Sequence, residues 1–551
     1  MKDFTQLSPE ELNKMNKQVL ITIIGSLQSQ LGSISGQLEL LTEQVALMNQ
    51  RSFGRKTERA DQIDPNQLNL FEVFNEPEVY SDDSPEPEVS EIIVSSHTRK
   101  KSSQKREHDL EGLPARIFEH TLTKEELAEK FPNGYKELPF ETYKRLSIIP
   151  QTFLVDEHHV HIYVSKNNDG TIARAERPAD VMRDCIATPS LIAALINGKY
   201  VNHLPLERQS KCYKENGVNL EVNTLANWMI NVSKRHLAPI CDELHNYLYD
   251  SRVIHVDETP FRVIMKDHPE DGDVNYMWVY RNGKCDSKYP VVIYDFQRTR
   301  NGSHADEFLQ GYSGTLVTDG FSGYDSLDRR RSDLKVAGCW IHAKRKFAEI
   351  VKAVGSENAG SAIAVKASKK ISEMFHIDSQ WDDLSKRARE KQRQQVLKPK
   401  VDDFFEWAKK VVVTLPSGSA TARGLNYCIN QEEHLRVFLS DGNVPMDNNR
   451  AEQAIRPFTL GRKNWVTMYS PKGASASAII YSLVETAKAN ELRLYDYFEF
   501  LIAEMSKHLR EEARQKRLLG EDYIPDRKYI QDLLPWSKNV QKQFHLPKKK
   551  S

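Results

Sequence analysis

The sequence predicts a mixed α/β fold: a strand-and-helix core interrupted by a helical insertion, preceded by an N-terminal coiled coil and a small region that passes from β to helix. Three observations carry this. An apolar seam at heptad spacing runs from Leu20 to Met48. Apolar strand candidates recur after Arg252, two of them carrying an aspartate. Residues 346–441 read as helices between two stretches of core. At about 150 residues per domain, 551 residues allow three or four units and at least one large core.

Composition excludes several classes. A hydrophobic share of 39% is low and a charged share of 28% slightly high, so long polar segments stand beside globular ones. Lys plus Arg and Asp plus Glu both number 77, so the net charge is zero and any basic surface is local. The six cysteines are scattered without a CxxC pair. That argues against a disulfide framework or a cysteine-rich zinc site and fits a reducing compartment. The first residues lack the apolar run of a signal peptide, and no stretch reaches the roughly 18 apolar residues of a membrane span. A cytoplasmic protein without membrane contact is expected.

Residues 1–60 hold the coiled coil. Leu20, Ile24, Leu27, Leu31, Ile34, Leu38, Leu41, Val45 and Met48 follow at spacings alternating between 4 and 3. Such a stripe stays on one side of a helix only if the helix supercoils around a partner. A homodimer or higher assembly through residues 20–48 is therefore expected, with a surface helix packed on its own domain as the alternative. Gly25, Gly32 and Gly36 each weaken the helix by about 1 kcal/mol relative to Ala.

Residues 61–108 read as a disordered linker, acidic and then basic. From Asp61 to Thr98 there are ten acids and no Lys or Arg, too little apolar surface to offset chain entropy. Arg99 to Arg106 then carries five positive charges in eight residues. This run suits either contact with nucleic-acid phosphate or neutralisation of the acidic tract.

Residues 109–180 form a small β region, with alternation from Tyr143 to Arg174 and a turn at Asn168, Asp169 and Gly170. His158, His159 and His161 have no second ligand pair at zinc-site spacing, so they read as exposed strand residues. Residues 181–250 read as short helices: Ile192, Leu195 and Ile196 share a face, Pro205 opens a second helix, and Asn216-Gly217 makes a turn. Asn223 or Thr224 caps a third helix with Leu225 and Trp228. Helix, turn, helix is a DNA-binding arrangement in some proteins and plain packing in others.

Residues 251–345 make the first part of the core: three strands, a helix and two further strands. Asp257 stands among β-branched neighbours and Asp319 ends a later strand. A carboxylate costs several kcal/mol to bury alone, so each needs a cation, a basic partner or a cap. After a mostly helical stretch (346–441), residues 442–505 open with Asp447 as an N-cap, a helix over 448–456, and Pro457 ending it. Glu452 and Arg456 share a face, which suits an ordinary surface ion pair. Yet from Arg450 to Lys472 there are five basic residues and one acid, with Trp465 and Tyr469, as a phosphate-facing metal site would have. Residues 506–551 read as a C-terminal basic tail.

The runs FGRKTERA, TPSLIAALINGKYVNHLPLERQ, VIHVDETPFRV, TLVTDGFSGY, AGCWIHAKRKF and DNNRAEQAIRPFTLGRKNW are colinear between about Leu20 and Leu501. With them the chain resembles the transposases of the insertion-sequence-66 family. The resemblance implies an RNase H-like catalytic core of the DDE type. Asp257, Asp319 and Glu452 would then be its catalytic acids and the ligands of Mg²⁺ (or Mn²⁺). It also implies DNA as partner, both element ends and target, and accessory proteins of the same element. Around the acids, Arg456, Arg462 and Lys463, with His342 and Arg345, are the candidates for binding phosphate. Family members commonly carry a zinc ribbon with paired cysteines in the hairpin region. Here Ser165 and Asn168 stand about there, so no zinc is expected.

The expected function is a DNA transposase performing metal-dependent cleavage at insertion-sequence ends and strand transfer. Two other readings remain: an RNase H-like nuclease that cuts without joining, and a dimeric DNA-binding protein whose site has decayed. The presence of all three acids argues against decay.

Overall fold

In a computed structural model, the structure describes residues 16–27, 117, 121, 123–130, 132–133, 151–164, 172–264, 274–283, 288–354, 362–416, 418–520 and 522–547. Most of the heptad seam, the linker, Ser165 and Asn168, and Lys548 to Lys550 lie outside them. The chain divides into two compact units, 56–156 and the remainder. In the smaller unit Lys124–Lys130 is helical. Thr123 and Glu126 cap its start reciprocally, each side chain accepting from the other's backbone N–H (3.3 and 2.8 Å).

In the larger unit, residues 17–27 are helical, with the seam residues Ile24 and Leu27 exposed. The expected hairpin is present as β1 (Ile162–Val164) and β2 (Ile172–Arg174), paired antiparallel. His158, His159 and His161 are exposed beside it.

A helical layer follows: α1 (Pro189–Ile196), α2 (Leu206–Glu215), α3 (Val222–Val232) and α4 (Ala238–Tyr249). Thr188 caps α1, and Ile192, Leu195 and Ile196 are fully buried. Pro205 occupies the cap position of α2, where its missing N–H costs nothing. Gly217 turns the chain at φ +84°, a conformation that favours glycine. The third helix starts at Val222, slightly ahead of the expected cap, and a π-turn at Ser233–Leu237 joins it to α4.

The central sheet has the order β5-β4-β3-β6-β7. Its strands are β3 (Val253–Val263), β4 (Val274–Asn282), β5 (Val292–Gln297), β6 (Gly314–Thr318) and β7 (Leu334–Gly338). The first three are antiparallel, while β3, β6 and β7 run parallel. Helix α5 (Gly302–Phe308) links β5 to β6, and α6 (Ser322–Arg330) links β6 to β7. The sequence shows only a turn where α6 forms. Helix α7 (Trp340–Val354) leaves β7.

Among the described residues that follow, helices predominate: α8 (Ile363–Ser379), α9 (Lys386–Gln392), α10 (Lys398–Val412), α11 (Ala420–Asn430) and α12 (Glu432–Arg436). They share one apolar core with the sheet: Phe404, Phe405, Leu425 and Phe438 pack with Val317, Ala337 and Trp340. At its base Arg393, fully buried, pairs with Asp378 (2.7 Å) and donates to the carbonyls of Phe438 and Val444. That is how a buried charge is tolerated.

Beyond it come α13 (Asn449–Trp465), β8 (Thr467–Met468, paired with β3), α14 (Pro471–Ala489) and α15 (Leu494–Leu519). Helix α14 covers the outer edge of β5. Ser482 Oγ accepts from Tyr294 N (2.8 Å), and Thr486 Oγ1 accepts from Val292 N (3.0 Å), so the edge is closed to further strands.

Two expectations are corrected. Residues 506–547 are not a tail: α15 runs to Leu519, and Leu533, Leu534, Val540 and Phe544 are buried where the chain folds back. The basic charge masks apolar residues at helical spacing. Pro457 does not end its helix either, because it removes one N–H while Ala454, Ile455, Phe458 and Gly461 are buried around it. No helix among the described residues is long and apolar enough to cross a membrane.

His236 gives a test of this packing. It is fully buried, its Nε2 faces Ser506 Oγ at 3.2 Å, and burial lowers its pKa to about 4. The unfolded chain binds this proton more tightly, so His236 costs stability as pH falls from its unfolded value toward 4. Relative to His236→Gln, the parent should lose about 1.4 kcal/mol per pH unit over that window, read from urea midpoints. Parallel pH profiles would show that His236 is not held neutral.

Candidate active site

Strand β3 is apolar because it lies mid-sheet, with Val253, Ile254 and Val256 fully buried. In the parallel pairing of β3 with β6, His255 is level with Val317. Asp257 and Asp319, each two residues further on, therefore come side by side. Strand β6 stops at Thr318 while β3 runs on, which opens a cleft where open α/β sheets place their ligands.

Glu452 reaches this cleft through the start of α13. Asn448, fully buried, donates from Nδ2 to Val256 O (2.8 Å), and its Oδ1 lies 2.9 Å from His255 Nδ1. Its backbone N–H donates to Cys339 Sγ (3.2 Å). The amide thus ties the helix to β3 beside Asp257, and Glu452 follows one turn later. Asp447, the expected cap, accepts from Asn449 N at 3.0 Å, one residue before the assigned cap.

The electrostatics of the cleft converge on Asp257. It keeps a little surface yet is densely surrounded. Burial above all, then the charges of Glu258, Asp319 and Glu452, push its carboxyl well above the ordinary range, against one N–H from Glu258. Such a carboxylate favours a proton or a cation.

Glu452 Oε2 accepts from Arg345 Nη2 at 2.5 Å. Its other oxygen lies 3.8 Å from His342 Nδ1, and both atoms are buried with no hydrogen-bond partner among the described residues. Arg345 Nη1 lies 3.2 Å from His342 Nε2 and can only donate, so the proton of neutral His342 sits on Nδ1. Burial lowers the His342 pKa, favouring that neutral form.

The ligand atoms of Cys339, His342 and Glu452 all lie within 4.8 Å of one another. Burial pushes the Cys339 thiol up to about 12, so it serves as an acceptor for Asn448. Asp257 and Asp319 stay outside this tighter group, because Glu452 is drawn to Arg345 and like charges repel.

Several residues here carry no sequence signal of their own. Glu258 alternates to the other side of β3 from Asp257. Its side chain is 1% exposed, accepting from Tyr324 OH (2.6 Å) and Arg300 Nε (2.7 Å). Arg300 lies over the Phe321 ring at 4.2 Å and 3.6 Å from Asp319 Oδ2. A buried acid in an apolar strand demands a cation, which is the hint that could have led to Arg300. Tyr427, from the insertion, donates to Asp319 O at 2.8 Å. Gly320 adopts φ +84° beneath it, where a Cβ would meet the Tyr427 hydroxyl at 2.7 Å.

The structure therefore gathers Asp257, Asp319, Glu452, His342 and Arg345. Arg345 and His342 face Glu452 rather than open solvent. Arg462 is half-buried and holds the far part of β3, donating to Thr259 Oγ1 (3.0 Å) and to Pro260 O. Arg456 is half-buried one turn beyond Glu452, and Lys463 is exposed about three turns beyond it.

Comparison with known proteins gives the chain's family. Residues 184–476 match the family described as "Transposase IS66 family", and residues 40–117 match one described as "Transposase C of IS166 homeodomain". Three relatives come from Sinorhizobium fredii. The uncharacterized protein y4hP is 30% identical over 58% of this chain and 60% of its own length. The uncharacterized protein y4qI is 28% identical over 64% and 66%. The uncharacterized protein y4jD is 26% identical over 83% and 89%. The chain thus spans less than two thirds of the first two relatives.

Two substitutions test the geometry in the presence of a chelator. Asp257→Asn removes a buried, repelled carboxylate and should stabilise the fold by on the order of 1 kcal/mol at neutral pH. Asn448→Ala strands His255 and the Val256 carbonyl and should destabilise it by about 2 kcal/mol. Urea unfolding reads both, and opposite signs would show that these forces do not govern the cleft.

Proposed function

We propose, from the premise that this chain belongs to the IS66 transposase family, that it cuts DNA at the ends of a mobile element and joins the freed ends to target DNA. Its core would be RNase H-like, with Asp257, Asp319 and Glu452 as a DDE set. The observation that carries this is the convergence of three acids, from the middle strand, its parallel neighbour and a distant helix, whose charges meet at Asp257. The mixed strand order supports the fold reading.

The residues fit Mg²⁺ or Mn²⁺. Carboxylates are hard oxygen ligands, Asp257 is destabilised as an isolated anion, and Glu452 offers a buried oxygen without a hydrogen-bond partner among the described residues. Bound there, two divalent cations would activate the attacking oxygen and neutralise the departing 3′ oxygen. Around them the chain supplies orientation. Arg345 holds the Glu452 carboxylate and is itself held by neutral His342, Tyr427 and Gly320 hold the loop that carries Asp319, and Asn448 fixes the helix against β3. Arg456 and Lys463 would attract the DNA backbone along α13. Helices α2 and α3 would dock on the element end, and residues 20–48 would pair two copies.

A nuclease that only cuts would use the same acids, so the joined product decides between the two. Asp257→Asn, Asp319→Asn and Glu452→Gln should each reduce both cleavage and joining by on the order of 10³-fold, equivalent to several kcal/mol of transition-state stabilisation. DNA binding should persist. Parent-level joining by all three variants would sink the assignment. Cleavage without any joined product would favour the nuclease.

A further inference from the structure

We propose that Arg300 grips a non-bridging oxygen of the scissile phosphate and that Glu258 is its positioning residue. This rests on the transposase reading above and adds a substrate contact to it.

Glu258 sits in the apolar middle of the sheet with its side chain 1% exposed. A carboxylate there is tolerated only if its oxygens are paired. Oε2 takes the Tyr324 hydroxyl at 2.6 Å. Oε1 takes Arg300 Nε at 2.7 Å, with Nη2 at 2.6 Å. One edge of the guanidinium is thus clamped, and its face rests on Phe321, 4.2 Å from the ring centroid. Edge and face together leave one orientation. Rotamer entropy of roughly 2 kcal/mol that a free arginine loses on binding is already lost before DNA arrives.

The clamped edge uses Nε and Nη2, so the Nη1 edge points the other way. The side chain remains 40% exposed, and Nη2 lies 3.6 Å from Asp319 Oδ2. That distance is too long for a good hydrogen bond, so Arg300 stands beside Asp319 without being committed to it. Its exposure and its place beside Asp319 are more than neutralising Glu258 requires.

Charge balance points the same way. Arg345 is committed to Glu452 on one flank. On the other flank Arg300 is the fixed cation beside Asp319, and a phosphate approaching three carboxylates needs one. Guanidinium geometry suits two oxygens of a phosphate better than ammonium does.

The test uses the full chain and a duplex carrying one element end, taken from the DNA that flanks the gene, with either a normal or a methylphosphonate linkage at the cleavage point. Binding is read in Ca²⁺ and cleavage, on the normal duplex, in Mg²⁺. The parent should bind the neutral linkage about 10-fold more weakly, and Arg300→Ala should erase that difference while slowing cleavage roughly 100- to 1,000-fold, on the scale of one lost charge-stabilising donor. Arg300→Lys should recover part of the discrimination. Because Arg300→Ala alone strands a buried carboxylate, Glu258→Gln with Arg300→Ala is measured too and should behave alike.

Parent-level cleavage by that double variant would overturn the proposal. So would retained discrimination by it, since a merely structural role would weaken both duplexes equally. Asp257→Asn keeps the two readings apart through cleavage alone: it should not cut. If it cuts, the site assignment falls and the proposal with it; if it does not cut and Arg300→Ala still discriminates, only the role of Arg300 falls.

Discussion

The proposed site depends on one buried amide. Asn448 lies where α13 begins, and its side chain has both its donor and its acceptor engaged with β3, at Val256 and His255. A polar side chain with no surface must be satisfied where it sits, and only one placement of the helix on the sheet satisfies both ends. Burial depresses the His255 pKa to about 3, so the ring stays neutral and its Nδ1–H can meet the amide oxygen. Glu452 is one turn away on a rigid helix and inherits that placement.

Against this fixed frame the acids are in tension. Asp257 is desolvated among three other carboxylates, an arrangement that destabilises the folded chain. The surroundings offset it with guanidinium groups on two flanks, Arg345 at Glu452 and Arg300 at Glu258. Local frustration of this kind is tolerated where a charged ligand will relieve it. Helices α8 to α12 contribute to the same frame. They share the sheet's core and reach the cleft through Tyr427 at the Asp319 loop, so the segment between β7 and α13 is a buttress.

Family membership and geometry inform different levels. The matching segment, 184–476, runs from the first helices through the sheet to the start of α14 and includes all three acids. It says that the chain belongs to the IS66 transposase family. Which side chains touch which, and with what charge state, comes from the structure.

Periodicity and local chemistry were enough to find the strands of the core, the helices between β7 and α13 and the hairpin, because each is announced within a few residues of itself; grouping Asp257, Asp319 and Glu452 took the family resemblance. They misjudged the end of α13 and the last forty residues, where Pro457 and scattered lysines outweighed buried apolar positions in a linear reading. Only the tertiary structure decided the partners. Asn448 meets His255 across 193 residues, Arg345 meets Glu452 across 107, and Arg300 meets Glu258 across 42. No local pattern encodes such pairs. Each follows from the cost of burying a polar group, which obliges a partner to exist but leaves its identity to the packing of the whole chain.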